Sequence, residues 1–152
     1  MDPLSDLVEK DRVARVVNDL FMGTDARAWA RVEACFAPSV TFDMSSVGGG
    51  APRRLSAAEI TKGWETGLAA VDHVHHQTGN LVVQRGDAEA NASCQGIAYH
   101  YRKTRFGRNT RIFVGTYEFH LVLVDGSWKI DLMRFELKFV DGNVDLEKEP
   151  PA

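Results

Sequence analysis

The sequence predicts an α+β fold: a strongly curved antiparallel sheet wrapped as a cone over three N-terminal helices. Three observations predict it. Apolar residues recur at helical spacing through the first half of the chain and alternate with polar ones through the second. The alternating stretches are separated by RGD (Arg85–Asp87) and DGS (Asp125–Ser127), turns too short for the crossover that parallel neighbours need. The chain has 152 residues, 44% of them hydrophobic, enough for one core.

The elements follow in order. Leu4, Leu7, Val8, Val13, Val16, Val17, Leu20 and Phe21 define an amphipathic helix over residues 3–22, which Gly23 is expected to end. Thr24 or Asp25 then caps a second helix, with Trp29, Val32 and Phe36 facing inward. Pro38 closes that helix, and SVTFDM (Ser39–Met44) is a first strand. VGGGAPRR (Val47–Arg54) reads as a flexible loop. Ser56 caps a third helix carrying Ile60, Trp64 and Leu68 on one stripe. VHHQTGNLVVQ, AEANASCQGIAYHYR, RNTRIFVGTYEFHLVLV and WKIDLMRFELKFV are the long strands of a meander. Residues 1–140 make a single domain, and 141–152 an exposed, frayed tail.

Composition narrows the classes of function. A net charge of −3 without any Lys/Arg block argues against a nucleic-acid partner. No apolar run has the length of a membrane span, and the acidic, amphipathic start MDPLSDLVEK is no secretory signal, so a cytoplasmic location without membrane partners is expected. Cys35 and Cys94 stand far apart in no metal-binding spacing and are expected to be buried thiols in a reducing compartment.

The stretch HVHHQTGN (His73–Asn80) holds three of the five histidines. Side chains alternate faces along a strand, so His76 turns inward with Val74, while His73 and His75 look out. A metal is not expected, because no further ligands stand at a recognisable spacing. On the next strand Ala88, Ala90, Ala92, Cys94, Gly96, Ala98 and His100 share one face, small residues ending in an imidazole. Tyr117 and Phe119 face inward on the third, with Glu118 and His120 outward. An imidazole acts as a base only with its tautomer fixed, which a buried carboxylate can do. Asp25, at the junction of the first two helices, is the candidate for that carboxylate; the alternative is that it only caps a helix.

Several short pieces in order carry a resemblance: GTDARAW (Gly23–Trp29), FAPSVTFD (Phe36–Asp43), HQTGN (His76–Asn80), GDAEA (Gly86–Ala90), AYHYR (Ala98–Arg102) and GTYEFHLVLVDGSWKI (Gly115–Ile130). From about Asp11 to Phe139 the chain resembles the SnoaL-like branch of the nuclear-transport-factor-2-like superfamily, α+β cones with a deep pocket. It is closest in pattern to scytalone dehydratase and lindane dehydrochlorinase. That resemblance implies an Asp–His dyad at Asp25 and His76 with Asn80 following, and a second histidine at His100 once one turn residue is dropped. Both relatives remove a proton from carbon and expel a leaving group without metal or organic cofactor, so no cofactor is implied. The departures lie elsewhere. The dehydratase's two tyrosines fall at Thr24 and Met44, its later asparagine near Tyr117, and the dehydrochlorinase's lysine at Leu20.

The expected function is a cofactor-free lyase of dehydratase type, or an isomerase, acting on a small apolar cyclic or aromatic molecule. His76 would abstract a proton, Asp25 would orient it, and His100 would protonate a departing oxygen or hold an oxyanion. Tyr117 is a further donor and Asn80 a positioning residue; Phe42, Met44, Trp64, Phe113 and Phe135 would line the pocket. The rival expectation is a non-catalytic small-molecule-binding or assembly domain, and a third is the small subunit of a ring-hydroxylating oxygenase. An outer sheet face bearing Ile112, Val114 and Val122 predicts a homo-oligomer, dimer or trimer.

Overall fold

The computed structural model describes residues 2–152. Helix α1 (Pro3–Asp25) starts with Pro3 in its first turn and Asp2 as its cap, the carboxylate accepting the Ser5 N–H at 3.1 Å. Val13, Val17, Leu20 and Phe21 are buried, whereas its first two turns leave Leu4, Leu7 and Val8 exposed, against the expected all-apolar face. Gly23 does not end the helix. It lies inside it, where α2 (Trp29–Ala34) packs so close that a Cβ on Gly23 would stand 3.1 Å from Val32 Cγ2. The helix runs two residues further, and the chain turns at Arg27 (φ 54°). The cap of α2 is Ala28, with no side-chain bond, so neither Thr24 nor Asp25 has that role.

Strand β1 (Phe36–Asp43) begins before Pro38 rather than after it. The proline is tolerated because the pairing of β1 with its neighbour shifts register between Phe36 and Thr41. After a 3₁₀ turn (Ser45–Val47), the end of the glycine-rich segment forms a short strand β2 (Arg53–Ser56) on the edge of the sheet, where a loop was expected. Helix α3 (Ala57–Gly67) opens with a capping box: Ser56 Oγ accepts the Glu59 N–H at 3.1 Å, and Glu59 accepts the Ser56 N–H at 2.7 Å.

Strands β3 (His73–Arg85), β4 (Glu89–Tyr101), β5 (Thr110–Val124) and β6 (Ser127–Gly142) form the antiparallel meander. The six-stranded, unclosed sheet has the order β2-β1-β6-β5-β4-β3, and only β1 and β6 pair in parallel. Its concave face meets the helices in one core that includes Leu20, Ile60, Phe119, Leu121, Ile130 and Met133. No described helix is long and apolar enough to cross a membrane.

The last residues are not a frayed tail. Leu146 and Asn143 are buried, at 0% and 2% exposure. The Arg102 guanidinium donates to the carbonyls of Leu146 (3.1 Å) and Glu149 (3.0 Å), and Asn143 donates to the Arg108 carbonyl at 2.9 Å. One buried leucine, with an exposed Val144 two residues before it among acidic and proline neighbours, shows no periodicity, so the sequence pattern does not reveal this docking.

Candidate active site

Between α1, α3 and the inner face of the sheet lies a mostly apolar cavity of about 240 Å³. It exists because the strand faces alternate between bulk and its absence. Ala98 stands directly across from His76 and adds no bulk. Gly96 and Gly115 are cross-strand partners. A Cβ on Gly96 would lie 2.3 Å from the Tyr117 ring, and one on Gly115 2.6 Å from the Phe135 ring. Those two aromatics fold flat over the glycines, 4.6 Å apart between ring centroids, and form part of the cavity wall. Replacing Gly96 with alanine should displace Tyr117, which Phe21 also confines at 4.8 Å. The expected cost is about 1–3 kcal/mol by urea denaturation, with an altered tyrosine signal in the near-ultraviolet circular dichroism. A variant as stable as the parent, with an unchanged spectrum, would show that the ring has slack.

His76 and Asp25 meet at one end of this cavity. His76 Nδ1 is 2.6 Å from Asp25 Oδ1, and the His76 backbone N–H donates to Asp25 Oδ2 at 2.8 Å. Both side chains are largely buried, at 13% and 17% exposure. The two contacts hold ring and backbone of one residue with one carboxylate, joining the end of α1 to β3 across 51 positions. An ionised carboxylate only accepts, so Nδ1 carries the proton and Nε2 is left as the ring's free acceptor. Phe21 packs its ring 5.1 Å from the imidazole, closing one side against water.

His100 also lines the cavity. Its Nδ1 lies 3.1 Å from Arg111 Nη2. Burial foremost, then the neighbouring Arg111 charge, pushes its pKa from 6.5 down to about 4, so the ring is neutral at physiological pH. Tyr117 is held protonated, its pKa raised chiefly by burial and then by nearby Cys94 and Asp25. The thiols of Cys35 and Cys94 are buried and pushed up to about 11, which makes them inert. Among the described residues no three metal-ligating side chains converge.

Met44, Trp64, Phe113 and Phe135 stand in the cavity wall. Phe42 does not; its ring packs 6.0 Å from Trp64 and supports it. Asn80 is outside too. Counting by twos places it on the face of His76, but the β3–β4 register shifts between Gly79 and Val82, and Asn80 takes φ 55° there. Its side chain donates to Gln95 at 2.8 Å, in an exposed position. Sequence reasoning passed over Phe21, Thr24, Val47, Leu68, Ala98 and Met133 as wall residues. Phe21 had a usable signal, being one helical turn from the residues flanking Asp25. On the outer face His73 and His75 are exposed, and His120 pairs with Asp131 at 2.6 Å.

The architecture recurs among solved structures. The Kfla4162 protein from Kribbella flavida superposes with a TM-score of 0.88 at 16% identity, covering 94% of this chain and 99% of its own. A candidate scytalone dehydratase from Novosphingobium aromaticivorans gives 0.77 at 22%, over 91% and 89%. The type 3 hexachlorocyclohexane dehydrochlorinase from Novosphingobium barchaimii gives 0.75 at 14%, over 97% and 99%. At such identities the likeness is one of fold. No curated protein matches the sequence. The model of the SnoaL-like domain matches residues 5–134, which takes in both helices flanking the cavity and the strands that carry His76, His100 and Tyr117. A cone of this topology, matched over most of its length, makes this chain a member of the SnoaL-like domain family.

Proposed function

We propose that the protein is a cofactor-free lyase or isomerase that removes a proton from carbon in a small, uncharged, apolar cyclic or aromatic molecule. The observation that carries this reading is the 2.6 Å contact between Asp25 and His76. It leaves Nε2 of His76 as a base in a water-poor cavity, with a carboxylate ready to stabilise the imidazolium that forms. The wall supports an uncharged substrate: it contains no Lys, Arg, Asp or Glu, so a charged ligand would lose its hydration without a partner. A cavity of about 150 Å³ holds a benzene ring, so about 240 Å³ suits a substituted ring. As a proton leaves carbon, charge develops on a neighbouring oxygen or departing group; the Tyr117 hydroxyl and the neutral His100 ring supply donors for it. The eliminations named for the similarly folded dehydratase and dehydrochlorinase fit this chemistry.

The test is a panel of cyclic ketones, β-hydroxy ketones and halogenated cyclohexanes incubated with the protein in deuterated buffer. NMR would follow deuterium uptake at carbon and loss of water or halide. At least one class is expected to react with the parent protein and not with the His76→Ala variant. A reaction that proceeds equally well without His76 overturns the assignment.

A further inference from the structure

The geometry points to the C-terminal segment as part of the catalytic apparatus: Glu147 clamps Arg111, and Arg111 holds His100 as an obligate Nε2–H donor to the reacting molecule. This rests on the function proposed above for the same cavity.

Arg111 and His100 are directly opposed on β5 and β4, at the end of the inner face. A guanidinium only donates. Its Nη2 at 3.1 Å from His100 Nδ1 therefore requires a lone pair on Nδ1, and the single proton of the neutral ring sits on Nε2. This is the mirror of His76, whose proton is drawn to Nδ1 by Asp25. Two imidazoles in one cavity thus hold opposite tautomers, one an acceptor and the other a donor at Nε2.

The guanidinium is itself fixed from the far side. Glu147 grips it with both oxygens, Oε1 2.5 Å from Nη2 and Oε2 2.7 Å from Nη1. The plane also lies over the Phe113 ring, 5.2 Å from its centroid. Arg111 is mostly buried, at 14% exposure, and among the described residues its Nε has no hydrogen-bond partner. Tolerating that buried N–H suggests that the side chain is placed for His100 rather than for its own satisfaction. The segment bearing Glu147 is tied down by Leu146, by Asn143 and by the Arg102 bonds already described. Arg111 and Glu147 act through His100 and are positioning residues.

Long-range ¹H–¹⁵N correlation of the imidazoles in the full-length labelled protein tests this between pH 4 and 8. The charged or titratable groups acting on His100 are Arg111, His76, Glu147 and Asp25; His76 is followed in the same spectra and the two carboxylates by their side-chain ¹³C shifts. In the parent protein His100 is expected as the pure Nε2–H tautomer. Arg111→Met should bring it toward a mixture of the two tautomers and raise its titration midpoint. Glu147→Gln, which keeps the shape of the segment, should also mix the tautomers. With any substrate that needs His76, Arg111→Met should lower kcat at least tenfold and leave KM within about threefold. A proton on Nδ1 of His100 in the parent, tautomers unchanged in both variants, or an unchanged kcat overturns the inference. Should no compound react at all, the proposed function falls, and the spectra still decide whether the clamp sets the tautomer.

Discussion

Replacing His76 with alanine is expected to lower turnover by about 10²–10⁴-fold, the usual contribution of a positioned general base. The variant should still fold. His76 lies on the sheet's cavity side rather than deep in the core, and its backbone N–H can still donate to Asp25. Asp25→Asn separates base from orientation. An asparagine offers one oxygen where the carboxylate now accepts two N–H groups, so either the ring or the backbone loses its partner. If the ring loses it, the proton can move to Nε2 and the base is no longer available. The expected result is a loss of rate approaching that of His76→Ala, with the His76 tautomer changed in imidazole ¹⁵N spectra. An Asp25→Asn variant with the parent's rate would mean that the carboxylate serves the fold alone.

Leu146→Ala should destabilise the protein by about 2–4 kcal/mol in urea denaturation, the cost of emptying a fully buried leucine site. At 152 residues, each kcal/mol corresponds to roughly 2–4 °C, so the thermal midpoint should fall by about 5–15 °C. A segment that merely lay on the surface would cost less than about 0.5 kcal/mol. The control is Val144→Ala, whose side chain is exposed and should be near neutral.

The sequence made the strand faces legible. Period-two counting placed His76 and Val74 against the core, left His73 and His75 outside, and put Tyr117 and Phe119 inward, because nothing interrupts those stretches. It misplaced Asn80, since the register shift that takes it off the cavity face is set by cross-strand pairing, which no local pattern records. Gly23 misled for a similar reason. Its glycine serves the approach of α2 rather than a helix end, and the signal for the two is the same letter. Its place at the helix junction singles out Asp25, but the partner that gives the carboxylate its geometry lies 51 residues on, beyond the reach of spacing arguments. Nothing in the sequence pointed to Arg111 or Glu147, because their connection to His100 depends on a segment whose only apolar anchors are Leu146 and the side of the sheet it meets.

The contact of Asp25 with both ring and backbone of His76 forms only in the assembled fold. Its two partners come from the first helix and the third strand, and they meet only when that helix has docked on the sheet. No fragment that lacks α1 or β3 can hold the pair at 2.6 Å. Once a substrate is in hand, the residual rate during heating or urea titration becomes a direct count of intact molecules. It would report the docking of the first helix on the third strand, which spectroscopic probes of local helix or strand content can miss.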